Sequence, residues 1–185
     1  NRERSGVLAV CLRDPQTARW RPGALGPPAR TPEVTIDALA SAIDATATAT
    51  GLSTRFVALD PAADHRLHRQ VADRMATPAD TRRPTLAGLL TEFADVEVAA
   101  TMRYHGGVAA ALAGAPVTTL AFSPKLTALA GDLGPAAAPA AGPGDLPRAV
   151  DQALTGGRYL AETVGGLTDL AGSNATILDD LLGAS

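Results

Sequence analysis

The chain has 185 residues, 16 basic against 19 acidic, a net charge of −3 and a single cysteine. One cysteine excludes an internal disulfide framework, no apolar run reaches the roughly 18 to 20 residues of a membrane span, and a general nucleic-acid binder would be clearly basic. The opening NRERSGVLAV lacks the apolar core and small-residue cleavage site of a signal peptide, so a soluble cytoplasmic domain is expected.

Alanine fills 39 positions, and 15 of the basic residues are arginine; Lys125 is the one lysine. Against that bias the lysine's neighbourhood becomes informative. Val7-Leu8-Ala9-Val10-Cys11-Leu12 is an unbroken apolar run, as expected of a strand buried on both faces of a parallel sheet. It ends in Arg13-Asp14. From Pro15 to Pro32 five prolines and two glycines predict a loop. Thr35 to Thr50 reads as a helix with Ile36, Leu39, Ala40 and Ile43 on one face, closed by Gly51 as C-cap. Phe56 to Leu59 is a second strand, ended by Asp60-Pro61. Asp64 is expected to cap a helix running to about Met75. Thr85 to Phe93 reads as a short helix and Val96 to Ala100 as a third strand, followed by Thr101-Met102-Arg103-Tyr104-His105-Gly106-Gly107. Val108 to Leu112 opens a small-residue helix that closes at Gly114. Val117 to Phe122 is a fourth strand, and Ser123-Pro124-Lys125 leads into a helix from Leu126 to Leu133.

Strand and helix alternate, which predicts right-handed βαβ units: an α/β, Rossmann-like parallel sheet flanked by helices. Residues 1–134 form this domain. Residues 135–147 read as an Ala/Pro/Gly linker, and 148–185 as a helical extension. The extension carries an apolar stripe of Leu160, Val164, Leu167, Leu170, Ile177 and Leu181, with bends expected at Gly156-Gly157 and Gly165-Gly166.

In an open parallel sheet, ligands bind beyond the carboxyl ends of the strands. That edge gathers Arg13, Asp60, Arg103 with His105, and Lys125. Arg103/His105 and Lys125 also stand at helix starts, where free N–H groups and the helix dipole favour an anion. Gly106 and Gly107 would let backbone approach a ligand as an anion site. The combination predicts a site for a small, doubly anionic ligand.

Met102-Arg103-Tyr104-His105, the Ala-rich helix, Gly114-Ala115-Pro116-Val117, a strand and Ser123-Pro124-Lys125 resemble the carboxyl-terminal half of the polysaccharide pyruvyl transferase family. There the segment reads M-R-L-H, a small-residue helix, G-V/I-P-V, a strand, then D-x-K. The strand Val7–Leu12 ending in Arg13 is similar to the family's strand ending in S-L-R. Tyr104, Gly106, Ser123 and Cys11 depart from the usual Leu, Ala, Asp and Ser. The resemblance implies one half of a GT-B-like two-domain enzyme, with an amino-terminal domain as partner; a start at Asn1 rather than Met accords with that. It implies transfer of a pyruvyl group from phosphoenolpyruvate to a sugar diol, giving a ketal and phosphate in polysaccharide biosynthesis. By that resemblance Arg13 and Arg103 would hold the donor's anions as guanidinium forks. His105 would be acid/base or phosphate ligand, since histidine as a residue type suits proton transfer near neutrality. Lys125 would add a compact cation near the phosphate. No cofactor or metal is implied beyond the donor itself. The acceptor would be a sugar or lipid-linked glycan, placing a cytoplasmic enzyme beside the membrane.

Two other readings compete. One is a GT-B nucleotide-sugar glycosyltransferase half, for which Asp60 is the acidic candidate for a ribose. The other is a non-catalytic relative. His65 and His68 have a metal-compatible i, i+3 spacing but read as a solvated helix face. Arg82-Arg83-Pro84 reads as a loop charge cluster, and Cys11 as a small buried hydrophobe.

Overall fold

A computed structural model describes residues 6–14, 34–85, 87–120 and 123–183, with side chains of the final helix described to residue 172. The expected loop from Pro15 to Pro32 lies outside the described residues, as do Ala121 and Phe122 of the expected fourth strand.

Six parallel strands form one sheet: β1 (Val7–Cys11), β2 (Ser53–Val57), β3 (Ala79–Arg82), β4 (Val96–Thr101), β5 (Val117–Leu120) and β6 (Ala137–Ala140). Their spatial order is β3-β2-β1-β4-β5-β6. The helices are α1 (Ile36–Thr50), α2 (Ala63–Ala72), α3 (Leu89–Glu92), α4 (Tyr104–Leu112), α5 (Pro124–Leu133), α6 (Leu146–Gly156) and α7 (Leu160–Gly183). This is the expected Rossmann-like α/β arrangement.

The apolar run of β1 divides by strand alternation. Leu8, Val10 and Leu12 join α1, α2 and α6 on one face; Val7, Ala9 and Cys11 join α4 and α5 on the other. Every residue of β1 is buried, which explains why its sequence shows no polar alternation. Thr35 caps α1, accepting the Ala38 N–H at 3.1 Å. Gly51 closes it with φ of 70°, a left-handed backbone that glycine adopts without a Cβ penalty.

Several sequence expectations need correction. The second strand begins at Ser53, because Thr54 and Arg55 pair in the sheet although neither is apolar. Arg55 is satisfied there by a two-bond pairing with Asp95 at 2.7 and 3.0 Å. The segment after Met75 contains β3, an edge strand of alternating exposure with Asp80 and Arg82 outward. The expected linker 135–147 contains β6, which pairs with β5 over its four residues. Its Pro139 is exposed and tolerated because β6 lies on the sheet edge, where no neighbour needs the missing N–H. The helix expected from Thr85 is shorter, Leu89–Glu92. In α7, Leu160 is buried and Val164 packs on the core, whereas Leu167 and Leu170 are exposed; of the described part of the apolar stripe, only the start covers core. Ile177 and Leu181 lie outside the described side chains.

Candidate anion-binding site

The strand order reverses between β1 and β4. From β1 the chain leads to α1 on one face, and from β4 to α4 on the other. The crevice at such a point, beyond the carboxyl ends, is where open α/β sheets bind ligands. Cys11 pairs with Thr101, and the Met102 N–H extends the ladder to the Cys11 carbonyl at 2.8 Å. Arg13 and Arg103 each lie two residues beyond that pair. The register thus sets the two arginines at neighbouring strand ends.

Arg103 is fixed by several contacts. The Thr101 hydroxyl accepts its N–H at 2.9 Å and donates to its carbonyl at 2.7 Å. Its guanidinium pairs with Asp64, whose side chain is 1% exposed. The remaining Asp64 oxygen accepts the N–H groups of Leu59 and Asp60 at 3.1 and 2.8 Å. One carboxylate of α2 therefore ties the end of β2 to the end of β4. Arg103 Nε is buried with no protein acceptor. Asp64 is not the helix cap expected for it. That task falls to Asp60, whose Oδ1 accepts the Ala62 and Ala63 N–H groups, both at 3.2 Å. Asp60 thus has a structural task at the helix start, served by one of its two carboxylate oxygens.

His68, one turn beyond Asp64, is fully buried rather than on a solvated face. Its Nε2 accepts the Leu12 N–H at 3.1 Å, and its ring stacks on Phe56 at 4.9 Å. Leu12 precedes Arg13, so α2 also anchors the end of β1. Burial first, then the nearby His65 and Arg103, pull the His68 imidazole down to about 3 from its usual 6.5. A protonated Nε2 could not accept the Leu12 N–H. Between pH 6.5 and about 3 the unfolded chain binds a proton that the folded chain refuses. Stability therefore falls as pH falls through that window, by about 1.4 kcal/mol per pH unit from this group. Urea unfolding at pH 7 and pH 5 checks this: His68→Gln lowers stability at pH 7 but flattens the further loss on acidification. An equally steep loss in the variant would exclude His68 as its source.

Arg103 occupies the N-cap position of α4 with extended backbone and no side-chain cap bond. Tyr104, His105 and Gly106 form the first turn, whose N–H groups have no helical acceptor. The Gly107 N–H instead reaches the Arg103 carbonyl at 3.2 Å, so of the two glycines only Gly106 keeps a first-turn N–H. Both glycines face protein. A Cβ at Gly106 would lie 3.0 Å from the Cys11 sulfur, and one at Gly107 2.5 Å from Leu129. They let α4 settle onto the strand ends, a packing reason that the expectation of ligand approach lacked. His105 and Tyr104 are exposed, their rings edge-on at 5.6 Å. Burial pushes the Cys11 thiol up to about 12, with Asp64 adding to the effect, so it is an inert hydrophobe as expected. Lys125 is exposed as the second residue of α5, after Pro124 at the first position and Ser123 at an uncapped N-cap.

The fold thus brings Arg13, Arg103, His105 and Lys125, from three separate segments, to the ends of the three neighbouring strands β1, β4 and β5. The anchors Asp64 and His68 were not expected. Their i, i+3 spacing to Leu67 and Val71 on the same helix was the available signal, since polar residues on an apolar stripe need buried partners. Among the described residues no group of His, Cys, Asp and Glu could hold a metal ion, and no helix is long and apolar enough to cross a membrane. No protein-family model matches the chain, and no curated protein is detectably similar to it in sequence.

Proposed function

We propose that this sheet edge binds phosphoenolpyruvate and that the chain is the donor-binding half of a pyruvyl transferase acting on a sugar diol. The observation carrying the reading is the convergence of Arg13, Arg103, His105 and Lys125 at adjacent strand ends, with two uncapped helix N-termini between them. Phosphoenolpyruvate has a carboxylate and a phosphate, and two arginines at neighbouring strand ends match such a pair of anions. Arg103 is already paired with Asp64, so its role is a pre-oriented guanidinium with part of its fork free. The helix starts and Lys125 add donors for phosphate oxygens.

The chemistry requires a proton at the donor's methylene carbon. His105 supplies it, making the adjacent carbon electrophilic. One sugar hydroxyl adds to that carbon and loses its proton. The second hydroxyl then closes the ketal as the C–O bond to phosphate breaks; its proton leaves with the inorganic phosphate, and the first hydroxyl's proton restores His105. In the full-length protein, His105→Ala is expected to abolish ketal formation while phosphoenolpyruvate still protects against thermal unfolding. Full activity in His105→Ala would remove this residue from the reaction.

A further inference from the structure

The outer face of α2 carries a second concentration of positive charge, away from Asp64 and His68. Ten arginines lie among the described residues. Five pair with carboxylates: Arg55 with Asp95, Arg74 with Asp37, Arg82 with Asp80, Arg103 with Asp64 and Arg148 with Asp145. Arg158 lies over the Tyr159 ring at 4.7 Å, and Arg13 belongs to the edge described above. The remaining three, Arg66, Arg69 and Arg83, make no ion pair among the described residues, and all three line one cavity of about 460 Å³. His65 and Gln70 line it too, with Asp73 as its one carboxylate.

A chain with 19 acidic residues and a net charge of −3 had carboxylates available to neutralise such a cluster. Three guanidiniums in one concavity repel one another, and the field there favours an anion. The donors come from two segments: Arg66 and Arg69 from α2, and Arg83 from the residue after β3. Pro61 and Ala62, also in the wall, follow β2. The cavity therefore lies at the carboxyl ends of β2 and β3, on the same sheet edge as the first site but at its other side. Its volume falls in the range of ligand pockets and exceeds what one phosphate group fills. Guanidinium forks match phosphate oxygens in bidentate geometry.

We infer that the cavity between α2 and Arg83 is a second anion site, built for a diphosphate group. It stands independently of phosphoenolpyruvate binding, since it shares no residue with that site. The geometry suits a free diphosphate or one carried on a larger ligand.

The test is an NMR titration of the full chain with inorganic pyrophosphate, and in parallel with inorganic phosphate, reading the amides of α2 and Arg83. Saturable shifts there are expected, with pyrophosphate binding more tightly than phosphate. The Arg66→Gln/Arg69→Gln double variant should weaken binding at least about tenfold, each lost charged hydrogen bond contributing roughly that factor. Both arginines are exposed, so the variant is expected to keep its fold, read from the unchanged remainder of the spectrum. Lys125→Gln should leave these shifts unchanged, separating this cavity from the other edge. Added salt should weaken the binding. Absence of saturable shifts at α2, equal affinity for phosphate and pyrophosphate, or undiminished affinity in the double variant would overturn the assignment. Failure of phosphoenolpyruvate to bind would overturn the first site alone.

Discussion

Asp64→Ala is expected to destabilise the chain by about 3 kcal/mol, near the low end for breaking a buried pair because Arg103 keeps partial solvent contact. Three groups lose a partner at once. The Arg103 guanidinium keeps its charge without a counter-charge, and the Leu59 and Asp60 N–H groups lose their shared acceptor. Urea unfolding measures the loss. A double-mutant cycle with Arg103→Leu separates this cause from general damage. Removing the arginine as well should restore part of the loss, giving a coupling of about 1 kcal/mol or more. Strictly additive effects would show that the pair contributes nothing. Asp60→Ala is the milder comparison, expected at about 1 kcal/mol for a lost helix cap.

Gly156→Ala carries the largest expected cost, about 3 kcal/mol or above. The added Cβ would stand 1.6 Å from the Pro135 carbonyl oxygen and 2.5 Å from its carbon. Both are backbone atoms, which cannot swing aside as a side chain can. Relief requires α6 to move off the segment that leads into β6. That loosens the sheet edge, since α6 buries Leu146, Ala149, Val150 and Ala153 in the core on this face. For a chain of this size the melting temperature should fall by about 6 to 12 °C. Gly165→Ala is the control. It sits in a helix with no heavy atom near the added carbon, so it should be neutral or stabilise by up to about 1 kcal/mol. Equal behaviour of the two variants would show that helix propensity, not contact with Pro135, governs position 156.

The glycine at 156 also shows where sequence reading stops. A Gly-Gly pair reads locally as a break, and α6 does end there. That a carbonyl 21 residues upstream leaves no room for a Cβ is a tertiary fact. The unbroken apolar run of β1 was legible because a strand buried on both faces reads as near-continuously apolar, and β4 and β5 kept part of that pattern around Glu97 and the Thr118-Thr119 pair. The edge strands were not. Ala79–Arg82 alternates charge with small residues, and Ala137–Ala140 contains proline; both are choices that an edge permits and a centre forbids.

Of the candidate site, the cations at strand ends were legible because topology alone delivers them there. Arg103, His105 and Lys125 follow apolar runs and open helices, and both features are written in the chain. The partners of those cations were hidden. Asp64 reads as an N-cap by position, and only the packing of α2 against three strand ends turns it inward to Arg103. His68 reads as one more polar residue on an Arg-rich helix until its ring is placed on Phe56 and its nitrogen on the Leu12 N–H. Gly106 and Gly107 were expected to serve a ligand, and their first duty is to Cys11 and Leu129.

Calorimetric titration of phosphoenolpyruvate into the chain tests the central claim most directly, with Lys125→Gln and Arg13→Gln measured beside it. Neither substitution touches the core, so both variants should fold. Saturable binding is predicted, weakened about tenfold by either change as one charged contact is lost, and unaffected by Arg66→Gln/Arg69→Gln. Absence of binding, or binding indifferent to both Lys125 and Arg13, would contradict a donor site at the ends of β1, β4 and β5.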